Sequence, residues 1–205
     1  MSPSSLQLRS RPRSKHRPSD TTAPPVAIVP SPGYRWSLWI SRCLGALLLV
    51  PALPVIGILA LIVRWTSPGP GIFRQLRVGQ NGKTFMMYKL RTMRHDAERE
   101  TGPVWTQQGD SRVTPVGRIL RKLHLDEFPQ LFNVIKGEMT LVGPRPERPE
   151  FVHRLAPRIP GYLQRLAVRP GITGLAQLNL PPDSDLDSVR CKLLLDLEYI
   201  WDAGP

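Results

Sequence analysis

"RCLGALLLVPALPVIGILALIVR", residues 42–64, decides how this chain folds. Between Arg42 and Arg64 lie 21 residues without a charge, and thirteen of them are Leu, Ile or Val. As one straight helix they would span roughly 31 Å, close to the hydrocarbon thickness of a bilayer. A soluble core helix this long and this uniform is not expected, so the segment is read as membrane-embedded. Pro51 and Pro54 fall at its middle, where each removes a backbone donor and crowds the turn before it. Two arms of about ten residues flank that expected break, each too short to cross alone. Arg35 and Arg42 stand before the segment and Arg64, Arg74 and Arg77 after it, so the charge bias selects no direction. A bent, re-entrant hairpin with both ends cytosolic satisfies both flanks, and a kinked spanning helix satisfies one. The residues favour re-entry and leave both open.

Outward from this segment, the chain divides into three parts. Residues 1–35 are rich in Ser, Pro and Arg, with six Lys or Arg against Asp20 alone, and read as a disordered basic tail. No cleavable signal pattern precedes the apolar run. Residues 36–65 form the expected membrane helix, and residues 66–205 a compact domain. Across all 205 residues, 28 Lys and Arg oppose 16 Asp and Glu, a net charge of +12 that points to an anionic partner. Two distant cysteines, Cys43 and Cys191, build neither a disulfide framework nor a zinc site.

Within 66–205, two strand-like runs meet around Asn81-Gly82, a hairpin signal. Thr114-Pro115 predicts an N-cap followed by proline at the first helical position, with the helix running to about Leu123. Asp126 starts a second predicted helix, with Phe128, Leu131, Phe132 and Ile135 on one face and Gly137 ending it. Residues 138–182 read as Pro/Gly-punctuated loops with short helices or strands. The last twenty or so residues predict an amphipathic helix that turns Val189, Leu193, Leu197, Ile200 and Trp201 inward. The fold class is α+β: a membrane helix-break-helix, then a mostly helical domain with a small β-hairpin.

Chemistry concentrates at "HLDEFPQLFNVIKGEMTLVGPRP", residues 124–146, where Asp126 and Glu127 sit in a basic chain. A helix-capping acid followed by a first-turn acid is the plain reading of such a pair. Neighbouring helical residues point about 100° apart, so the two carboxylates are not one acid/base couple; they can hold different tasks, attack and metal binding. Cations surround them in sequence. Lys89 and Arg91 are two apart on a predicted strand, Arg118, Arg121 and Lys122 share one helix side, and Arg145 and Arg169 sit in Pro/Gly turns. Rigid arginines suit phosphate or diphosphate.

Other motifs fail. "GQNGKT" lacks the first glycine of a phosphate-binding loop, since position 77 is Arg77. Asp183, Asp185 and Asp187 have calcium-loop spacing, but Ser188 stands where glycine is needed. The basic residues have no interleaved aromatic platform or recognised module, so no nucleic acid is expected as partner.

"TSPGPGIFRQLRVGQNGKTFMMYKLRTM", "TPVGRILRKLHLDEFPQLFNVIKGEMTLVGPRPERPEF" and "VRPGITGLAQLN" resemble, in order and spacing, the bacterial sugar transferases, the small polyprenyl-phosphate hexose-1-phosphate transferases. The resemblance implies a two-step transfer of sugar 1-phosphate from a UDP-sugar to polyprenyl (undecaprenyl) phosphate, initiating exopolysaccharide, O-antigen or glycoconjugate synthesis. It implies Asp126 as nucleophile, forming an aspartyl-phosphosugar, and Glu127 as ligand to Mg²⁺. Lys89, Arg91, Arg121, Arg145, Arg169 and Gln177 become substrate-binding candidates. It implies a re-entrant helix broken at Pro51 and Pro54, although Leu53 stands where the family commonly has serine. It places the chain at the bacterial inner (cytoplasmic) membrane, with residues 66–205 as the catalytic domain facing the cytoplasm, and leaves room for a homodimer. The alternative reading is a catalytically inactive membrane scaffold of a polysaccharide assembly complex, suggested by a sequence that stops at Pro205 where relatives continue.

Overall fold

The computed structural model describes residues 32–203, apart from 100, 101, 103, 106–108 and 184. Residues 1–31 of the expected basic tail lie outside the described residues. Helix α1, Pro32–Thr66, begins four residues earlier than the predicted membrane segment and carries Pro51 and Pro54 inside it. Proline at a first helical position is favourable, and Tyr34 anchors that end: its hydroxyl accepts from the Arg169 amide at 2.6 Å. Where the sequence predicts two arms and a break, the helix runs on through both prolines as a single element.

The packing of α1 explains its position. Tyr34, Gly45, Leu49, Ala52, Ile56 and Val63 are buried, a stripe at helical spacing from one end of α1 to the other. Leu49, Ala52, Ile56 and Val63 share a core with Leu90, Leu120 and Leu131 of the domain. At Gly45 the helix comes so close to a neighbour that an added Cβ would lie 2.9 Å from Val134 Cγ1. The remaining faces expose Trp36, Trp39, Leu47, Val50, Leu53, Ile58 and Trp65. So large an apolar surface, on a helix long and apolar enough to cross a bilayer, associates this chain with a membrane.

Strands β1 (Ile72–Val78) and β2 (Thr84–Leu90) pair antiparallel, with Ile72 opposite Leu90 and Val78 opposite Thr84. Asn81 turns the hairpin with φ 56°, a conformation asparagine tolerates better than most residues. Helix α2, Pro115–Lys122, is capped as the sequence predicts, with Thr114 Oγ1 accepting from the Gly117 amide at 2.9 Å. His124, at φ 56°, then turns the chain into a 3₁₀ segment, Leu125–Gln130, before α3, Leu131–Lys136. Asp126 therefore lies inside a tight 3₁₀ turn and does not start an α-helix, a correction that follows from the bend at His124. Gly137 ends α3 in the left-handed region, as expected.

In α3 the buried residues are Leu131, Asn133 and Val134, whereas Phe132 and Ile135 face outward. The inward set shifts because Asn133 faces the hairpin and binds it. Its side-chain amide donates to Met86 O at 2.8 Å, and its oxygen accepts from the Tyr88 amide at 3.2 Å. Strands β3 (Thr140–Val142) and β4 (Gly171–Thr173) form a second, parallel pair that the sequence did not predict. Short helices α4 (Pro149–Leu155) and α5 (Leu175–Asn179) and a 3₁₀ turn (Tyr162–Ala167) fill the connections.

Helix α6, Leu186–Ala203, buries Val189, Leu193 and Ile200 as predicted, but Trp201 is 59% exposed. The inward register runs 189, 193, 196, 200 and takes in Asp196 instead. The three aspartates with calcium-loop spacing go to separate partners. Asp183 pairs with Lys192, Asp185 accepts from the Ser188 amide, and Asp187 pairs with Arg190.

Candidate active site

The end of β2 and the 3₁₀ turn face one another, and Asn133 of α3, the helix that follows the turn, binds β2. This puts the Lys89 ammonium 2.9 Å from Glu127 Oε1. Arg145, from the turn after β3, donates to the same oxygen through Nη2 at 3.0 Å. Burial alone would raise the Glu127 pKa, but the charges and hydrogen bonds of Arg145 and Lys89 outweigh it and hold the carboxyl at about 2. Lys89 moves the other way. Burial and the neighbouring Arg145 bring its pKa down to about 8, against the opposing pull of Glu127 and Asp126.

Asp126 is subject to the same burial and the same cations but differs in its contacts. It is 7% exposed, and among the described residues no hydrogen bond or ion pair ties its carboxylate down. Burial raises its pKa above the ordinary aspartate value; Lys89, Arg121 and Arg145 oppose that rise from a distance, and Glu127 adds to it. The dyad is thus one anchored carboxylate and one desolvated, uncommitted carboxylate, both under cationic influence.

Arg121 belongs to this group. Its Nε donates to Thr92 Oγ1 at 2.8 Å, and burial lowers its pKa while Asp126 and Asp110 work against that fall. Gln177 shares a small cavity of about 30 Å³ with Arg145 and Trp105, and its Oε1 is buried without a hydrogen bond. Arg169 is spent differently: its amide binds Tyr34, and among the described residues no hydrogen bond or ion pair joins its side chain to the dyad.

Arg91, expected on one face with Lys89, is turned to the end of α1. Strand β2 ends at Leu90, so the two-residue alternation that would put Arg91 beside Lys89 no longer applies. Its guanidinium instead closes the end of α1, donating to Val63 O at 3.3 Å, Ser67 O at 2.8 Å and Pro68 O. A cation there meets the carbonyls that a helix end leaves free.

Sequence reasoning missed Asn133, Arg165 and Asp196. Asp196 had a signal, since it is an acid at an inward position of an amphipathic helix. Arg165 and Asn133 had none, because their partners are distant in sequence.

The donor set is compatible with Mg²⁺. Among the described residues no group of three or more His, Cys, Asp or Glu could enclose a metal. Mg²⁺ does not need one, as it is commonly held by one or two carboxylates with water and substrate phosphates completing the shell. Adjacent Asp126 and Glu127 supply that many, and both cationic contacts on Glu127 fall on a single oxygen, Oε1.

A carboxylate pair surrounded by cations, in a domain seated on an apolar helix, makes this the candidate site of a membrane-associated protein. The model of the family described as "Bacterial sugar transferase" matches residues 35–204, and the chain belongs to that family. One relative is the UDP-N-acetylgalactosamine-undecaprenyl-phosphate N-acetylgalactosaminephosphotransferase of Aeromonas hydrophila, 43% identical over 85% of this chain and 41% of the relative. Another is the UDP-glucose:undecaprenyl-phosphate glucose-1-phosphate transferase of Caulobacter vibrioides, 44% identical over 76% of this chain and 59% of the relative. The exopolysaccharide production protein PSS of Rhizobium leguminosarum bv. phaseoli is 39% identical over 78% of this chain and 82% of the relative. The chain thus spans about two fifths of the length of the first of these and about three fifths of the second.

Proposed function

We propose that this protein transfers a sugar 1-phosphate from a UDP-sugar to polyprenyl phosphate, through a covalent intermediate on Asp126. The observation that carries the reading is the unequal dyad: Glu127 is held by two cations while Asp126 is desolvated and free to attack. An Asp126 carboxylate oxygen attacks the sugar-proximal phosphorus. The P–O bond to the nucleoside phosphate breaks, UMP leaves with the bonding pair, and an aspartyl-phosphosugar remains. An oxygen of polyprenyl phosphate then attacks that phosphorus, releasing the Asp126 carboxylate and giving a polyprenyl-diphosphate sugar. Lys89, Arg121 and Arg145 face the charge that develops on the phosphoryl oxygens. Mg²⁺, held by Glu127, would supply further neutralisation of that charge when bound.

The seat of α1 supports a re-entrant, one-sided membrane position, and a UDP-sugar donor calls for the cytoplasmic leaflet. A domain packed along the whole length of the helix could not stay in water if that helix crossed the bilayer upright. A one-sided seat brings the dyad to the depth of the acceptor's phosphate.

The test is to incubate lipid-reconstituted protein with UDP-sugars and Mg²⁺, following UMP release and intact mass. The expected result is UMP release together with a hexosyl-phosphate adduct, both lost in Asp126→Asn. Full turnover by that variant, or an adduct on another residue, removes Asp126 from the role.

A further inference from the structure

The turn that carries Arg145 is bound along its backbone. Gly171 N donates to Pro144 O at 3.0 Å and Val78 N to Glu147 O at 2.8 Å. Arg77 Nη1 donates to Pro146 O at 2.9 Å, and Arg165 Nη2 to Arg145 O at 3.0 Å. Four successive carbonyls each have a donor, and the two prolines have no N–H to satisfy. Three of the donors belong to strands β1 and β4. The fourth, Arg165, comes from the 3₁₀ turn at Tyr162–Ala167 and is itself gripped from α6.

That grip is a buried ion pair. Arg165 Nη2 lies 2.7 Å from Asp196 Oδ2 and its Nε 3.0 Å from the same oxygen. Its Nη1 donates to the Tyr162 hydroxyl at 3.0 Å, and Glu147 Oε1 stands 3.9 Å away. Asp196 is 2% exposed. Desolvating two charges is costly, and apolar residues of similar volume often serve stability as well or better. Stability alone therefore gives no reason for charge here. What the pair does deliver is a fixed, charged donor on one carbonyl, that of Arg145.

We infer that Asp196 and Arg165 are positioning residues, which hold the Arg145 backbone so that its guanidinium stays on Glu127. The connection runs from α6 through Arg165 to Arg145 O, then along the Arg145 side chain to Glu127 Oε1. Its kinetic consequence rests on the proposed transfer reaction; its structural content does not.

The experiment uses the full chain in lipid nanodiscs, with two variants. Asp196→Asn keeps the shape and removes the charge. Arg165→Lys keeps the charge, yet one ammonium cannot serve Asp196 and Arg145 O as the guanidinium does. The first readout is the ¹⁵N resonances of the Arg145 guanidinium, assigned with Arg145→Ala. The second is UMP release in the single variants and in each combined with Arg145→Ala.

The expected result is a move of the Arg145 guanidinium resonances towards those of a solvated arginine in both variants. UMP release should slow on the order of tenfold to a hundredfold. Neither change should slow the Arg145→Ala protein further, because the group they position is gone. A folded Arg165→Lys protein with unmoved Arg145 resonances overturns the inference, and so do effects that simply multiply with Arg145→Ala. Failure of Arg165→Lys to fold also overturns it, by assigning the pair to stability. If the unsubstituted protein releases no UMP, the transfer reading falls and the Arg145 resonances alone decide the positioning role.

Discussion

Lys89 gives up its proton far more readily than an ordinary lysine, since burial and Arg145 both disfavour its charge. If that charge faces the transferred phosphoryl group, UMP release should decline above about pH 8, the pKa of this ammonium. Lys89→Arg keeps a cation and should move the alkaline limb well upward. A limb that stays in place in that variant assigns it to another group. The sign for stability is opposite. With its folded pKa lowered, Lys89 binds a proton less readily in the native state than in the unfolded one. Its penalty is full below about pH 8 and relieved as the pH rises towards the ordinary lysine value. Glu127, held at about 2, contributes stability that is present above the ordinary glutamate pKa and is lost as the pH falls towards 2. Urea melts between pH 5 and about 2 should therefore show a loss of stability that is smaller in Glu127→Gln. An identical acid dependence in the two proteins would mean that Glu127 is not tied to its cations in solution.

Short elements hold the site together through side chains that bridge them, and Asn133 is the clearest case. Fully buried, it joins α3 to both the amide and the carbonyl side of β2, and also donates to Glu138 Oε2 at 2.7 Å. Asn133→Ala leaves the Tyr88 amide and the Met86 carbonyl without those bonds, a loss of about 1–3 kcal/mol. Because β2 carries Lys89, slower UMP release should accompany the lower denaturation midpoint. Unchanged stability would show that water replaces the amide. This element also marks the limit of what the sequence reveals. The hairpin at Asn81-Gly82, the Thr114 cap and the Gly137 stop were legible because each depends on neighbours within a few residues. The dyad and Arg145 were legible as a motif. The inward turn of Asn133, the β3–β4 pairing, the diversion of Arg91 to α1 and the Asp196–Arg165 pair depend on partners many residues away. Local periodicity also misplaced Phe132, Ile135 and Trp201, whose outward faces are decided by tertiary packing.

At the scale of the molecule, one apolar helix both seats the domain and is covered by it along a stripe. Leu49 to Val63 contribute to the same core as Leu120 and Leu131, so the membrane segment is part of the domain's own interior. On the domain itself, Ile119 of α2, Leu123 just after it, and Phe132 and Ile135 of α3 are exposed, adding to the apolar surface of α1. Such a surface suits a body resting on a leaflet better than one hung from a spanning stalk. If so, both ends of α1 lie on the same side of the membrane. The proposal can be checked with single cysteines at Ser37 and Thr66, in a background lacking Cys43 and Cys191, using a thiol reagent that does not cross lipid. In vesicles with the cytoplasmic face outward, both positions should label without detergent. In right-side-out vesicles neither should. Pro51 and Pro54 place two missing backbone donors at mid-helix, where bending costs least. Replacing both with alanine should favour a straighter helix, weaken docking along the stripe and shift Ser37 towards labelling from the opposite side. Labelling of the two ends from opposite sides in the unsubstituted protein would make the helix a spanning one and separate the dyad's depth from the helix that was argued to set it.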